Sequence, residues 1–397
     1  MIIVIADDIT GAAEIAGIAL RKNIDTALTT DVDSPLPDAE AVVIATDIRS
    51  GNETDAEETI TRITNNIRRL DMRNGLNNNL IFKKTDSVLR GYVVKELRTV
   101  MKRMGFKASL LIAQNPTKGR VIKEGRYLIN NVPICDTDFK HDPEFPAKSS
   151  SVIEMLGGNV VSLGIQDSIK AENKIYVADA ENQDELSLQL RKADSDVLLA
   201  GGADMFNTIL DEIYLNSKMG KGDLENINNG CSDEKKGACK LQEAPEHALF
   251  ICGSTQSKPL TEEKYIKDIN AVEAVMPSEV YHGNDETAWI ESLKGMYRER
   301  KALIMRIGQA ENGGKDYAVR LRNVMAKATK ELVLTATPDL IVIEGGATAY
   351  SIINELDWKC LKLKNEYAPG IVSMTYGSTE IVLKPGSYPW GNLFSKQ

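Results

Sequence analysis

Two adjacent carboxylates, Asp7 and Asp8, end the apolar run Ile2 to Ala6 and are followed by Ile9-Thr10-Gly11-Ala12-Ala13. Asp8 or Thr10 suits a helix N-cap there, a role worth about 1 kcal/mol. One cap needs one acid, so the pair also points to orienting substrate hydroxyls or positioning a metal. A second cluster, Lys83-Lys84-Thr85-Asp86-Ser87-Val88-Leu89-Arg90-Gly91, follows the apolar run that starts at Leu80. Lys84 and Arg90 offer cationic donors, and Asp86 and Ser87 offer acceptors and a hydroxyl. A sugar acid needs both kinds, cations for its carboxylate and acids for its hydroxyls. For Asp86 and Arg90 alone, a capping acid with a surface ion pair accounts for the pattern equally well. The third cluster, Gln114-Asn115-Pro116-Thr117-Lys118-Gly119-Arg120, follows Leu110 to Ala113 and adds Lys118 and Arg120 to a basic wall. Ligands of an open parallel sheet bind where strands end and helices begin, and three such ends on one edge make a stronger argument than any one.

Different chemistry lies downstream. Cys252-Gly253-Ser254-Thr255, Glu344-Gly345-Gly346-Ala347-Thr348-Ala349 and Lys384-Pro385-Gly386-Ser387 each follow a short apolar run. Glycines let backbone N–H groups approach phosphate oxygens and hydroxyls add donors, so the three loops together suggest a nucleotide site. Singly, each is also what a tight turn requires. The P-loop, the protein-kinase motif set, the GxGxxG dinucleotide fingerprint and GxSxG are all absent. The histidines His141, His247 and His282 are scattered, and the five cysteines have no zinc-ligand spacing, so no metal ligands are assigned and reduced thiols are expected.

The elements that must position these residues are those of an α/β protein. Ile2 to Ala6, Ala41 to Thr46, Leu80 to Lys83, Leu110 to Ala113, Ile175 to Ala178 and Val197 to Ala200 read as buried strands. Helical periodicity predicts Ala12 to Lys22, Ala56 to Leu70, Val93 to Met104 and Met205 to Leu215. Residues 1–216 form one domain on this reading, 217–246 a linker or mobile loop rich in Gly, Asn, Lys and acids, and 247–397 a second α/β domain. In the second, strands are expected at Ala248 to Cys252, Ala302 to Arg306, Leu340 to Ile343, Gly370 to Met374 and Glu380 to Leu383. Helices are expected there at Lys258 to Asp268, Asp285 to Arg300, Ala318 to Lys330 and Ala349 to Leu356. The fold class is two α/β domains with largely parallel sheets and an interdomain cleft, where closure would exclude water. The Pro-rich stretch Thr137 to Ser149, with Asp138 and Asp142-Pro143, reads as an ordinary loop, with folding over the cleft as the alternative.

At 397 residues, 42% of them apolar, the chain has ample material for such cores. Its 48 basic against 57 acidic residues leave a formal charge of −9, which sets nucleic acid aside as a partner. No run approaches a membrane span, and the apolar start lacks the basic flank of a signal peptide, so a cytoplasmic protein without membrane partners is expected. The sequence carries no oligomer signal, and a homodimer is compatible with it.

ADDITGA at 6–12, KKTDSVLRG at 83–91, NPTKGR at 115–120, TDFKHDPEFP at 137–146, CGSTQS at 252–257, EGGATA at 344–349 and KPGSYPWG at 384–391 resemble, in order, the four-carbon acid sugar kinase family. The resemblance implies a two-domain kinase that phosphorylates threonate, erythronate or 3-oxo-tetronate with ATP and Mg²⁺. It places Asp8, Asp86, Ser87 and Arg90 on the substrate, joined by Asp7, Lys84, Lys118 and Arg120 from the reading of charge above. Ser254, Gly345, Gly346, Ala347, Thr348 and Gly386 would hold the nucleotide. Asp8 or Asp86 is the catalytic residue expected to accept the hydroxyl proton. Two positions depart from the family pattern: Ala347 stands where an acid is usual, and Ser387 replaces a glycine. The loss of that acid makes a catalytically weak sugar-acid or nucleotide-binding protein the alternative. A hydroxy-acid dehydrogenase would need the missing dinucleotide fingerprint.

Overall fold

The computed structural model describes residues 1–74, 79–157, 160–170, 172–215, 241, 245–254, 260–308, 314–386, 388, 390 and 393–394. The segment read as a linker, 217–246, lies outside them except at 241, 245 and 246. The chain divides into two compact units, one holding the described residues of Met1–Ile24 and Val32–Glu234, the other those of Asp25–Asp31 and Lys235–Gln397. Residues 25–31 thus belong to the second unit, whereas the sequence reading placed them in the first.

Among the described residues, eleven strands precede the second unit's main body: β1 (Ile2–Ala6), β2 (Thr26–Thr29), β3 (Ala41–Ala45), β4 (Leu80–Lys84), β5 (Ala108–Ile112), β6 (Arg120–Lys123), β7 (Arg126–Ile129), β8 (Val132–Pro133), β9 (Val160–Leu163), β10 (Lys174–Ala178) and β11 (Val197–Gly201). The first unit's sheet runs β3-β1-β4-β11-β5-β10-β9, and every pairing in it is parallel. Parallel strands are covered on both faces and need unbroken apolar runs, which is why all five residues of β1, β3 and β5 are buried. Helix α1 (Ile9–Arg21) follows β1 and buries the small residues Ala12, Ala13, Ala16, Gly17 and Ala19. Helices α2 (Glu53–Asn74) and α3 (Val93–Met104) contact each other. Val93, Leu97, Val100 and Met101 of α3 recur at helical spacing and join Ile60, Ile63 and Ile67 of α2 in one core. β6, β7 and β8 form a separate small antiparallel sheet.

Chain order decides where a ligand goes. From β1 the chain continues to β3 on one side, while β4 lies on the other and leads toward β11 and β5. Strands whose connections diverge in this way leave a crevice at their carboxyl ends. The ends of β1, β3, β4, β5 and β11 all lie on this edge, because the strands are parallel.

The second unit adds β12 (Ala248–Cys252), β13 (Val272–Val275), β14 (Ala302–Arg306), β15 (Leu340–Glu344), β16 (Leu361–Ala368), β17 (Ile371–Tyr376) and β18 (Thr379–Lys384). Its order is β13-β14-β12-β15-β18-β17-β16-β2, parallel from β13 to β18 and antiparallel beyond. The helix expected from Lys258 to Asp268 is a 3-10 turn at Leu260–Glu262 followed by a helix at Lys264–Asp268, with 258 and 259 outside the described residues. Among the described residues no helix is long and apolar enough to cross a membrane.

Candidate functional site

Arg49 lies in the short 3-10 turn after β3 and organises the first unit's edge. Its Nε donates to Asp7 Oδ2 at 3.0 Å, its Nη2 meets Asp8 Oδ2 at 2.7 Å, and its Nη1 meets Asp86 Oδ1 at 3.2 Å. One guanidinium therefore joins the tips of β1 and β4. Asp8 is also the N-cap of α1, accepting the Gly11 N–H at 2.9 Å, so the capping reading holds alongside any chemical role. Burial pushes the Asp8 carboxyl up from its ordinary value; Arg49 opposes that shift and Asp7 adds to it. Asp7 is almost wholly buried, and its Oδ1 has no hydrogen-bond partner among the described residues.

Asp86 is held more tightly. Its Oδ2 accepts the backbone N–H of Val88 at 3.2 Å and of Arg90 at 3.1 Å, together with Arg90 Nε at 3.0 Å. Its Oδ1 accepts Arg90 Nη2 at 2.8 Å and Arg49 Nη1 at 3.2 Å. Burial works against ionisation, but the Arg90 hydrogen bonds and the charges of Arg49, Arg90 and Lys84 outweigh it and keep the carboxyl far below the usual range. Asp86 caps a turn and not a helix, since α3 begins only at Val93 behind Tyr92. Nor is the Asp86–Arg90 pair a surface one, with side chains 8% and 29% exposed.

The loop Thr137 to Ser149 does more than connect. Asp142 Oδ2 accepts Arg90 Nη1 at 3.0 Å, and the Phe139 ring lies 5.7 Å from the guanidinium carbons of both Arg90 and Arg120. The cationic faces are thus partly covered by an aromatic one. Beside Arg90 a cavity of about 220 Å³ is lined by Leu89, Phe139, Phe145, Ala147 and Met155.

The basic wall also forms. Arg120 Nη1 donates to Ser87 Oγ, Lys84 Nζ to the Thr85 carbonyl at 2.8 Å, and Lys118 Nζ meets Glu14 of α1 at 2.5 Å. Burial would raise the Glu14 carboxyl, yet Lys84, Lys118 and Arg120 together pull it below its ordinary value. All three cations therefore share one neighbourhood. Lys84 also sits against Gly11, where an added Cβ would come within 3.2 Å of Nζ. Every residue expected to touch the sugar acid is accordingly brought to one edge. Arg49, Glu14 and Asp142 were not among them.

In the second unit a register row crosses the strand tips, with Arg306 paired to Cys252, Cys252 to Glu344, and Glu344 to Lys384. Just beyond it the glycine loops converge. A Cβ on Gly386 would stand 3.7 Å from Ser254 Cβ and 3.9 Å from Gly345 Cα, and one on Gly253 would collide with Thr348 Oγ1 at 2.0 Å. Gly345, at φ +104°, adopts a backbone conformation other residues resist. The Gly253 N–H donates to the Glu344 carbonyl at 3.0 Å and the Gly345 N–H to the Lys384 carbonyl at 2.9 Å. Those two N–H groups knit the loops together. Donors available to an anion include the first N–H groups of the helix Gly346–Glu355, at Gly346, Ala347 and Thr348, which have no intrahelical acceptor. Ala347 is exposed and Thr348 buried. Residues 255–257, 387, 389 and 391 of the quoted motifs lie outside the described residues.

The profile of the sugar-binding N-terminal domain matches residues 2–208. D-threonate kinase of Salmonella typhimurium is 30% identical over 158 residues, 35% of this chain and 37% of that one. 3-Oxo-tetronate kinase of Brucella melitensis is 25% identical over 226 residues, 51% of this chain and 50% of that one. The matched stretches therefore span half or less of these relatives' length. A solved Salmonella typhimurium LT2 protein described as a tRNA synthase superposes with a TM-score of 0.71 over 98% of this chain and 96% of its own. At 18% identity that likeness speaks for the fold alone. The fold is α/β, and residues 2–208 make its first unit a sugar-binding N-terminal domain by family. The chain belongs to the four-carbon acid sugar kinase family.

Proposed function

We propose that the protein phosphorylates a hydroxyl of a four-carbon sugar acid with ATP, the sugar acid lying at the first unit's strand tips and the nucleotide at the second's. The observation that carries this reading is the meeting of three carboxylates with Arg49, Arg90, Arg120 and Lys84 on one sheet edge. Arg90 and Arg120 bind the substrate carboxylate, and Phe139 restricts how it approaches them. The glycine loops and the Gly346–Glu355 helix start receive the phosphates, with Mg²⁺ arriving as part of Mg-ATP. The acceptor hydroxyl attacks the γ-phosphorus in line.

Of the two candidate bases, Asp8 suits the work better than Asp86. A base needs a lone pair and a proton affinity near the working range. Asp86 spends its oxygens on five donors and is held strongly acidic. Asp8 is held by Arg49 and the Gly11 N–H, is raised in pKa and keeps a quarter of its side chain exposed.

The test is ADP release from Mg-ATP with D- and L-threonate, erythronate and 3-oxo-tetronate, run on the native chain and on Ala347→Asp. Native turnover on one acid is expected, and it would name the substrate. Because Ala347 is exposed at the helix start where the family carries an acid, a binding protein of low turnover is the second reading. Silence in the native chain with activity in Ala347→Asp would favour it. Silence from both would sink the kinase reading for these acids.

A further inference from the structure

Lys384 closes β18 and is 3% exposed. Its ammonium donates to Glu344 Oε1 at 2.6 Å, to the Pro385 carbonyl at 3.0 Å and to the Gly386 carbonyl at 3.5 Å. The Trp390 ring covers it at 4.6 Å, and Trp390 in turn packs 5.1 Å from Phe394, which lies against Phe250 and Tyr265. Glu344, also 3% exposed, closes β15. The neighbouring Cys252 thiol is pushed up to about 12, by burial first and then by the Glu344 and Glu273 carboxylates, so this row lies in a poorly solvated layer.

Burying two charges is costly, and an apolar pair of similar volume often serves stability as well or better. A pair retained at a loop junction therefore invites a role beyond stability. Lys384 bonds at once to the strand that leads into Gly345-Gly346 and to the two carbonyls that open the last glycine loop. Backbone bonds fix the same junction from the other side, through Gly345 N–H to the Lys384 carbonyl and Gly253 N–H to the Glu344 carbonyl. We propose that Lys384, through its buried pair with Glu344, is a positioning residue for the nucleotide, setting the spacing between the Gly345-Gly346 loop and the Pro385-Gly386 loop. Its ammonium is consumed by these partners and does not itself reach the phosphates.

This inference rests on the assignment of ATP to the second unit. The experiment is calorimetric titration of the full chain with Mg-ATP, with a melting curve for each variant. The double variant Lys384→Met/Glu344→Leu replaces the pair by apolar side chains of like volume. It is expected to melt close to the native chain and to bind Mg-ATP at least about tenfold more weakly, equivalent to about 1.4 kcal/mol. In turnover the loss should appear in KM for ATP more than in kcat or in KM for the sugar acid. Lys364→Met, which removes an exposed partner of Glu380 in the same unit, should bind like the native chain. If the double variant melts early, Glu344→Gln keeps shape and an acceptor and is expected to weaken Mg-ATP binding severalfold with a native melting curve. A folded variant, of either kind, that binds Mg-ATP as the native chain does overturns the positioning role while leaving the nucleotide assignment standing. A native chain that binds no Mg-ATP overturns both.

Discussion

Asp8→Asn should lower turnover by about 10²- to 10⁴-fold, the range a positioned general base supplies, while the protein folds as before. The substitution is selective because Asn caps a helix about as well as Asp, so the bond from Gly11 N–H survives. What disappears is the ability to accept a proton. The native chain should show kcat/KM rising with pH through a value above the ordinary Asp value of about 3.9, because burial and Asp7 raise the Asp8 carboxyl. The variant should lose that acid limb. The linked stability runs the other way: a raised carboxyl stabilises the fold fully below its unfolded value and the contribution is lost as pH rises through the folded one. Turnover of the variant within a few-fold of native, with the acid limb intact, would remove Asp8 from the base role.

Arg49→Met should be the most damaging single change in the first unit. It leaves Asp7, Asp8 and Asp86 facing one another without the guanidinium that joins them. Breaking a buried charge network by removing one partner costs about 3–5 kcal/mol, and the first melting transition should fall by on the order of 10 °C. The sign of its pH dependence follows from Asp86. Held low in the folded protein, Asp86 contributes stability above the unfolded carboxylate value of about 3.9 and loses it as pH falls through the folded value. The Arg49→Met deficit should therefore be greatest near neutrality and shrink in acid. Arg62→Met, which breaks an exposed pair with Asp33, should cost no more than about 1 kcal/mol. Equal melting losses in the two variants would mean that Arg49 is only another surface charge.

The parts legible in the sequence were those written into contiguous residues. Unbroken apolar runs marked β1, β12 and β14 residue for residue, because strands covered on both faces leave no choice of side chain. The polar clusters that end β1, β4 and β5 could be read because each is local. Arg49 could not be read that way. Its partners lie 42 and 37 residues away along the chain, and only the sheet order places β3 beside β1. The polar turn after Ala41 to Thr46 was nevertheless a strand tip of the same kind as the three that were read. The Glu344–Lys384 pair was hidden for a related reason, since each residue alone looks like the polar end of a strand. β2 and β16 escaped because four residues, TALT, and the alternating LKLKNEYA owe their pairing to each other across more than 300 positions.

That last pairing also bears on how the protein can be inherited or divided. The chain leaves the first unit after Ile24, contributes β2 to the second unit's sheet and resumes the first at Val32. A fragment begun at His247 would look like a whole domain by sequence, yet its β16 would lack the partner that pairs with Leu361 and Lys362 and would present unpaired backbone to other chains. Two halves linked in this way cannot be shuffled between genes as independent cassettes. Recombination that exchanges the second unit would have to carry residues 25–31 along with the distant half that they complete.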